Sequence, residues 1–231
     1  MERAGVRLKV CGMKYPDNIK DVAALQPDYL GFIFYEKSAR HFKGEIIKIP
    51  DSIKKVGVFV DAKLEDVIET IKKHDLQAVQ LHGKESPEYC DTLSKRHAEL
   101  VSASHNFDKN LKQVQVDKSL EIIKVFSIKD DFNFELLKPY EEVCDYYLFD
   151  TKGKLPGGNG YVFDWNVLKN YNSTKPFFLS GGIGLDQIEN IKKFQKSKAS
   201  KFCYALDVNS KFEIEPGLKD IKKLKEFKSQ I

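Results

Sequence analysis

The feature that most limits what this chain can fold into is the order of its elements, since strand-like and helix-like stretches alternate along all 231 residues. Val6, Leu8 and Val10 alternate with Arg7, Lys9 and Cys11, then Gly12 breaks the run and Pro16-Asp17 opens a helical stretch. Period-two alternation bounded by glycine and proline predicts a strand, and the spacing of Ile19, Val22 and Ala23 predicts a helix. The same rhythm recurs through "YLGFIF", "KKVGVFVD", "AVQLHG", "LEIIKVFSI", "DYYLFDT", "KPFFLSGG" and "KFCYALDVN", with helical stretches between most of them. Such alternation implies parallel strands joined by crossover helices. Eight strands at this length predict a single α/β domain over residues 1–231, a closed (β/α)8 TIM barrel rather than an open doubly wound sheet. No GxGxxG follows the first strand, which argues against a dinucleotide-binding sheet.

Two regions fit the rhythm poorly. "KGEIIKIPDSI" is short and broken by proline, so the second helical segment is expected to be shortened. Residues 99–117 read as an insertion between the fourth helix and the fifth strand. That connection lies on the face of a barrel opposite the active site, so the insertion is expected to be functionally neutral. "NFELLKPYEEV" and "FDWNVLKNY" are read as helices, the first with Pro139 as an interruption.

Composition narrows the function. The net charge of +4 is spread along helical stretches, which suits solvated faces and not a nucleic-acid stripe. No run approaches the roughly 20 apolar residues of a membrane span, and no signal-peptide core opens the chain. Cys11, Cys90, Cys144 and Cys203 are widely separated and form no CxxC, which predicts reduced thiols in a cytoplasm and neither disulfides nor a zinc site.

Chemistry in such barrels gathers at the C-terminal ends of the strands. Read in order, those ends carry Cys11, Phe34 with the loop through Arg40, Asp61, His82, Ser127, Asp150, Ser180-Gly181-Gly182 and Asp207-Val208-Asn209-Ser210. Gly181 and Gly182 either make a tight turn or let backbone N–H groups approach an anion at a helix N-terminus. The loops after the seventh and eighth strands are the usual phosphate corner of the fold, which favours the second reading. A free cysteine is most often a small buried hydrophobe, and position alone leaves Cys11 open between packing and chemistry. Lys9 shares the strand parity of Cys11 and should point into the barrel, where a buried ammonium needs a partner, with Asp207 the candidate.

Taken together, "KVCGM", "YLGFIFYEKSARHF", "VGVFV", "VQLHG", "FDT" with "LPGGNGYVFDW", "FFLSGGI" and "LDVNSKFEIEPGLKD" resemble, in order and spacing, the phosphoribosylanthranilate isomerase family of tryptophan biosynthesis. The resemblance implies an Amadori rearrangement of a phosphorylated small molecule with no metal or cofactor, and it leaves room for weak association with other tryptophan-pathway enzymes. It implies that Cys11 is the general base and Asp150 the general acid. An unperturbed thiol is mostly protonated at neutral pH, so positive charge must help the base. Asp150 must hold a proton in the complex, which burial would favour; its plain alternative is a loop cap. Arg40 is matched to the arginine that holds the anthranilate carboxylate, although proline is usual where Ala39 stands. Their places at the strand ends also set His82, Gly181, Gly182, Asp207, Asn209 and Ser210 around the substrate, with a structural histidine as the alternative for His82. The glycine-rich "KGKLPGGNGYVFDW" suits a flap or a plain flexible loop.

Two departures stand out. Ser-Ser-Gly is usual where Asn209-Ser210-Lys211 stands, so Lys211 is either strained in a glycine conformation, sits in a different loop, or adds a phosphate contact. Lys14 replaces a common threonine. Competing readings are another phosphosugar barrel enzyme, which would need paired aspartates or a lysine and glutamate at strand ends, and a degenerate barrel that only binds phosphate ligands or a partner protein.

Overall fold

A computed structural model describes residues 6–107, 120–129, 131–151 and 163–231. Eight parallel strands close into a barrel in sequence order: β1 Arg7–Val10, β2 Tyr29–Ile33, β3 Lys54–Phe59, β4 Ala78–Leu81, β5 Glu121–Ile128, β6 Tyr146–Thr151, β7 Phe177–Leu179 and β8 Cys203–Val208. The seam is β1 against β8, in a register that sets Lys9 opposite Asp207. Leu8 and Val10 face outward into the layer shared with the helices, while Lys9 and Cys11 face inward. Alternation on a barrel strand thus separates two interiors, one apolar and one able to carry charge.

Helices α1 Pro16–Ala24, α2 Leu64–His74, α3 Pro87–Phe107, α4 Ile188–Gln195 and α5 Ile221–Lys228 pack outside. Local chemistry fixes their ends. Pro16 opens α1, where its missing N–H costs nothing. In α2, Glu65 and Asp66 sit in the first turn and Lys72, Lys73 and His74 in the last, matching the helix dipole. The Asp220 side chain accepts from the Lys223 N–H and caps α5. Among the described residues no helix is long and apolar enough to cross a membrane.

Three expectations need correction. No helix forms between β2 and β3, where a shortened one was expected; isoleucine-rich sequence ending at Pro50 favours extended chain, and Phe42, Ile49 and Ile53 cover the barrel there without one. Residues 99–107 continue α3 through Phe107 and do not form a separate excursion, and the rest of that segment lies outside the described residues. The segments after β5 and β6 are 3-10 turns, Phe134–Tyr140 and Trp165–Asn170, and not α-helices. Pro139 lies inside the first and denies it an α-helical N–H. The expected flap lies outside the described residues over 152–162.

The lower end of the barrel is filled by aromatic rings. Tyr29, Phe178, Tyr146 and Tyr204 meet edge to face or tilted, with Tyr146 and Tyr204 centroids 4.5 Å apart. The Tyr29 hydroxyl donates to Glu121, which also pairs with Lys54. Higher up, Lys124 on β5 lies 2.9 Å from Glu85 and donates to the carbonyls of Leu81 and Gly83. Glu85 in turn accepts from the N–H groups of Asp61 and Gly83, so this pair staples the loops after β3 and β4. Both side chains are at most 4% exposed. Lys124→Met should therefore strand a buried carboxylate and cost about 3–5 kcal/mol in urea unfolding, and Lys124→Met with Glu85→Leu should regain part of it.

Candidate active site

One cavity opens at the C-terminal end of the barrel, and every residue expected at the site lines it. Cys11 follows β1, Arg40 lies in the loop after β2, His82 follows β4, and Asp150 lies in β6. Gly181 and Gly182 follow β7, Asp207 lies in β8, and Asn209 and Ser210 follow it. Phe34, Asp61 and Ser127, at the remaining strand ends, do not reach it. Asp61 is occupied elsewhere, accepting from the Lys84 N–H at 2.5 Å.

A buried charged layer forms the floor. The Lys9 ammonium lies 2.7 Å from Asp207 Oδ1 and donates at 2.7 Å to Gln80 Oε1 across the barrel. The expected pairing of Lys9 with Asp207 is thus present. Ser180 Oγ donates to the other oxygen of Asp207 at 3.2 Å. Burial works against the Lys9 ammonium, but Asp207 and then Cys11 outweigh it and hold its pKa above the usual lysine value. Burial raises the pKa of Asp207, with Lys9 opposing.

Cys11 is buried beside this layer. Burial pushes its thiol up, and it does so against the positive charges of Lys9 and Lys219, which favour thiolate. Positive charge does help the cysteine, but desolvation outweighs it.

Asp150 is buried on the opposite wall, with Oδ1 accepting from the Thr151 N–H at 3.0 Å. Its Oδ2 is 3.4 Å from His82 Nε2, while His82 Nδ1 lies 3.4 Å from Gln80 Nε2. His82 therefore stands between the Lys9 layer and Asp150 and touches the carboxyl directly.

The turn after β7 requires glycine. Gly181 has φ +90°, and a Cβ there would sit 2.1 Å from Thr151 Oγ1. Gly182 is also left-handed at φ +69°. Beside it, after the neighbouring β8, Ser210–Phe212 forms a single 3-10 turn. Lys211 is absent from the left-handed residues, so it is not strained in a glycine conformation, and it lines the cavity. Lys14 donates to the Ala39 carbonyl at 3.2 Å, tethering the loop that carries Arg40.

The family model described as N-(5'phosphoribosyl)anthranilate (PRA) isomerase matches residues 8–118 and 101–230. The N-(5'-phosphoribosyl)anthranilate isomerase of Parabacteroides distasonis is 42% identical over 234 residues, covering 97% of this chain and 92% of that one. This chain belongs to the phosphoribosylanthranilate isomerase family. Among solved structures, phosphoribosyl anthranilate isomerase from Thermotoga maritima is similar with a TM-score of 0.77 at 28% identity, covering 98% of both chains. A second, at a TM-score of 0.73 and 26% identity over 98% of both chains, is a phosphoribosyl anthranilate isomerase in complex with reduced 1-(o-carboxyphenylamino)-1-deoxyribulose 5-phosphate.

For a member of this family, four polar side chains at or beside the cavity went unnoticed in the sequence: Gln80, Thr151, Glu213 and Lys219. Gln80 was within reach, because it shares strand parity with His82 in "VQLH". Glu213 and Lys219 lie on a short hairpin after β8 (β9 Glu213–Glu215, β10 Leu218–Lys219), where lysine and glutamate ordinarily read as solvated. The charge layer makes a spectroscopic prediction. Thiolate absorbance of the intact protein minus that of Cys11→Ala should titrate above the usual cysteine range, and Lys9→Met should move that midpoint further up.

Proposed function

We propose that this chain converts N-(5-phosphoribosyl)anthranilate to 1-(2-carboxyphenylamino)-1-deoxyribulose 5-phosphate as a single barrel domain, with Cys11 as general base and Asp150 as general acid. The observation that carries the reading is that a thiol after β1 and a carboxyl in β6 face one cavity from different walls.

Opening the furanose requires a proton on the ring oxygen as the C1–O bond breaks, and Asp150 supplies it. The nitrogen lone pair then forms a protonated imine at C1, which acidifies the proton on C2. Cys11 takes that proton, leaving an enolamine that tautomerises to the ketone. The imine cation forms beside the thiol and adds to Lys9 and Lys219 the positive charge that favours thiolate, at the moment the base is needed. His82 Nε2, near Asp150 Oδ2, is placed to donate to the carboxylate left after protonation.

Two anchors fix the substrate in this reading. The Gly181-Gly182 turn and the Asn209–Lys211 loop take the phosphate on backbone N–H groups and the Lys211 charge. Arg40 takes the anthranilate carboxylate, a planar group suited to its fork. Residues 99–117 have no part in the chemistry. All four cysteines are free thiols, which suits a reducing compartment, and we place the protein in the cytoplasm.

The test is loss of substrate fluorescence when phosphoribosylanthranilate is generated in place from anthranilate and phosphoribosyl pyrophosphate by a coupling transferase. Wild type should turn over, while Cys11→Ala and Asp150→Ala should each fall by about 10²–10⁴-fold with the fold intact. A folded wild type that binds phosphate without turnover would favour the degenerate barrel.

A further inference from the structure

A second buried ion cluster lies beside Arg40, and the steps above draw only on the charge of its Lys219. Arg40 Nε donates to both oxygens of Glu213, at 2.8 and 3.0 Å, and Nη2 donates to Oε2 at 2.6 Å. The Lys219 ammonium sits 2.7 Å from Glu213 Oε1 and donates to Asn209 Oδ1 at 2.6 Å. The Gly217 N–H gives Glu213 Oε1 one more hydrogen bond, at 3.0 Å. The Lys219 side chain is 0% exposed and that of Glu213 5%. Burial penalises the Glu213 carboxylate, but Arg40 and Lys219 together hold its pKa below the usual glutamate value. The backbone of Lys219 is pinned as well, its N–H and carbonyl both bonded to the Asn18 side chain.

This cluster joins the two proposed anchors. Arg40 belongs to one and Asn209 to the other, and the path between them runs Arg40, Glu213, Lys219, Asn209 through hydrogen bonds of 2.6–3.0 Å. Gly12 closes the ring: it has φ +75°, and a Cβ there would lie 2.7 Å from Asn209 Oδ1 and 2.8 Å from Arg40 Cδ. The Gly12 backbone thus packs closely against both Arg40 and Asn209. Burying three charges is a poor way to gain stability, because desolvation offsets most of the attraction. It is an effective way to fix geometry. Glu213 occupies Nε–H and one N–H of Nη2 and leaves the rest of the fork for a ligand.

We propose that Glu213 and Lys219 are positioning residues which set the separation between Arg40 and the Asn209–Lys211 loop, so that the site selects ligands by the distance between a carboxylate and a phosphate. The proposal rests on the reading of Arg40 given above. Substrate that fits pays no cost to order the arginine, because the protein has already ordered it.

The test compares a ligand with both anionic ends to one with a single end. Calorimetry would give the affinity of reduced 1-(o-carboxyphenylamino)-1-deoxyribulose 5-phosphate and of inorganic phosphate for wild type, Arg40→Ala, Glu213→Gln and Glu213→Asp, with kcat and KM measured alongside. Glu213→Gln should weaken the two-ended ligand about tenfold and raise KM by a similar factor, with phosphate affinity unchanged and kcat within about threefold. Glu213→Asp keeps the charge and shortens the reach by one methylene, so it should show an intermediate loss and serve if Glu213→Gln does not fold. Arg40→Ala with Glu213→Gln should be no worse than Arg40→Ala alone, since both act through one fork. Wild-type affinity in both Glu213 variants while Arg40→Ala is weak would overturn the positioning role alone. Wild-type affinity in Arg40→Ala would overturn the reading of Arg40 and this proposal with it. Equal losses for phosphate and the two-ended ligand would make Glu213 a structural residue and overturn the proposal.

Discussion

The upper half of this molecule is organised around a lysine ammonium buried at the seam where the barrel closes. Lys9 sits on β1 opposite Asp207 on β8, so the ion pair lies across the ladder that joins the first strand to the last. Its second bond, to Gln80, crosses the barrel to β4. A charge so deep is tolerable only with partners in good geometry, and here the partners are the site itself. Asp207 is held by Lys9 and Ser180, Gln80 reaches His82, His82 reaches Asp150, and Cys11 feels the ammonium directly. The fold closes and the site assembles through the same few atoms.

The barrel was legible because it is written in short-range patterns. Alternation around Leu8 and Val10 and the glycine at the end of β1 reflect backbone geometry that any reader of the chain can apply. The convergence of Cys11, Asp150 and Asp207 on one cavity was legible because the strand ends of a barrel meet at one rim, although Phe34, Asp61 and Ser127 at other ends stay clear of it. The pairing of Lys9 with Asp207 was legible for a further reason: parity fixes the face, and closure makes the first and last strands neighbours.

Glu213 was not legible because its partner Arg40 lies 173 residues away, and nothing local distinguishes it from a solvated glutamate. The absent helix between β2 and β3 misled in the opposite way. Its isoleucines are apolar enough for a helix face, yet Phe42, Ile49 and Ile53 reach the core from irregular chain. The segments after β5 and β6 fold as 3-10 turns, a choice over α-helix that apolar periodicity does not record. In α3, sequence that looked surplus is simply more helix, through Phe107.

The aromatic plug below the charged layer has a consequence for how such a protein can change over time. Tyr29, Phe178, Tyr146 and Tyr204 fill the lower barrel without drawing on Cys11, Asp150 or the arginine loop. Packing free energy scales with the apolar area removed from water, and that area lies below and outside the rim. Substitutions at the rim are thereby largely insulated from the core that keeps the barrel closed. A lineage carrying this plug can exchange Cys11, Asp150 or the arginine loop and remain folded, whereas Asp207 is tied to the buried Lys9 at the closing seam. The barrel's versatility as a scaffold is, in this chain, a property of its lower half.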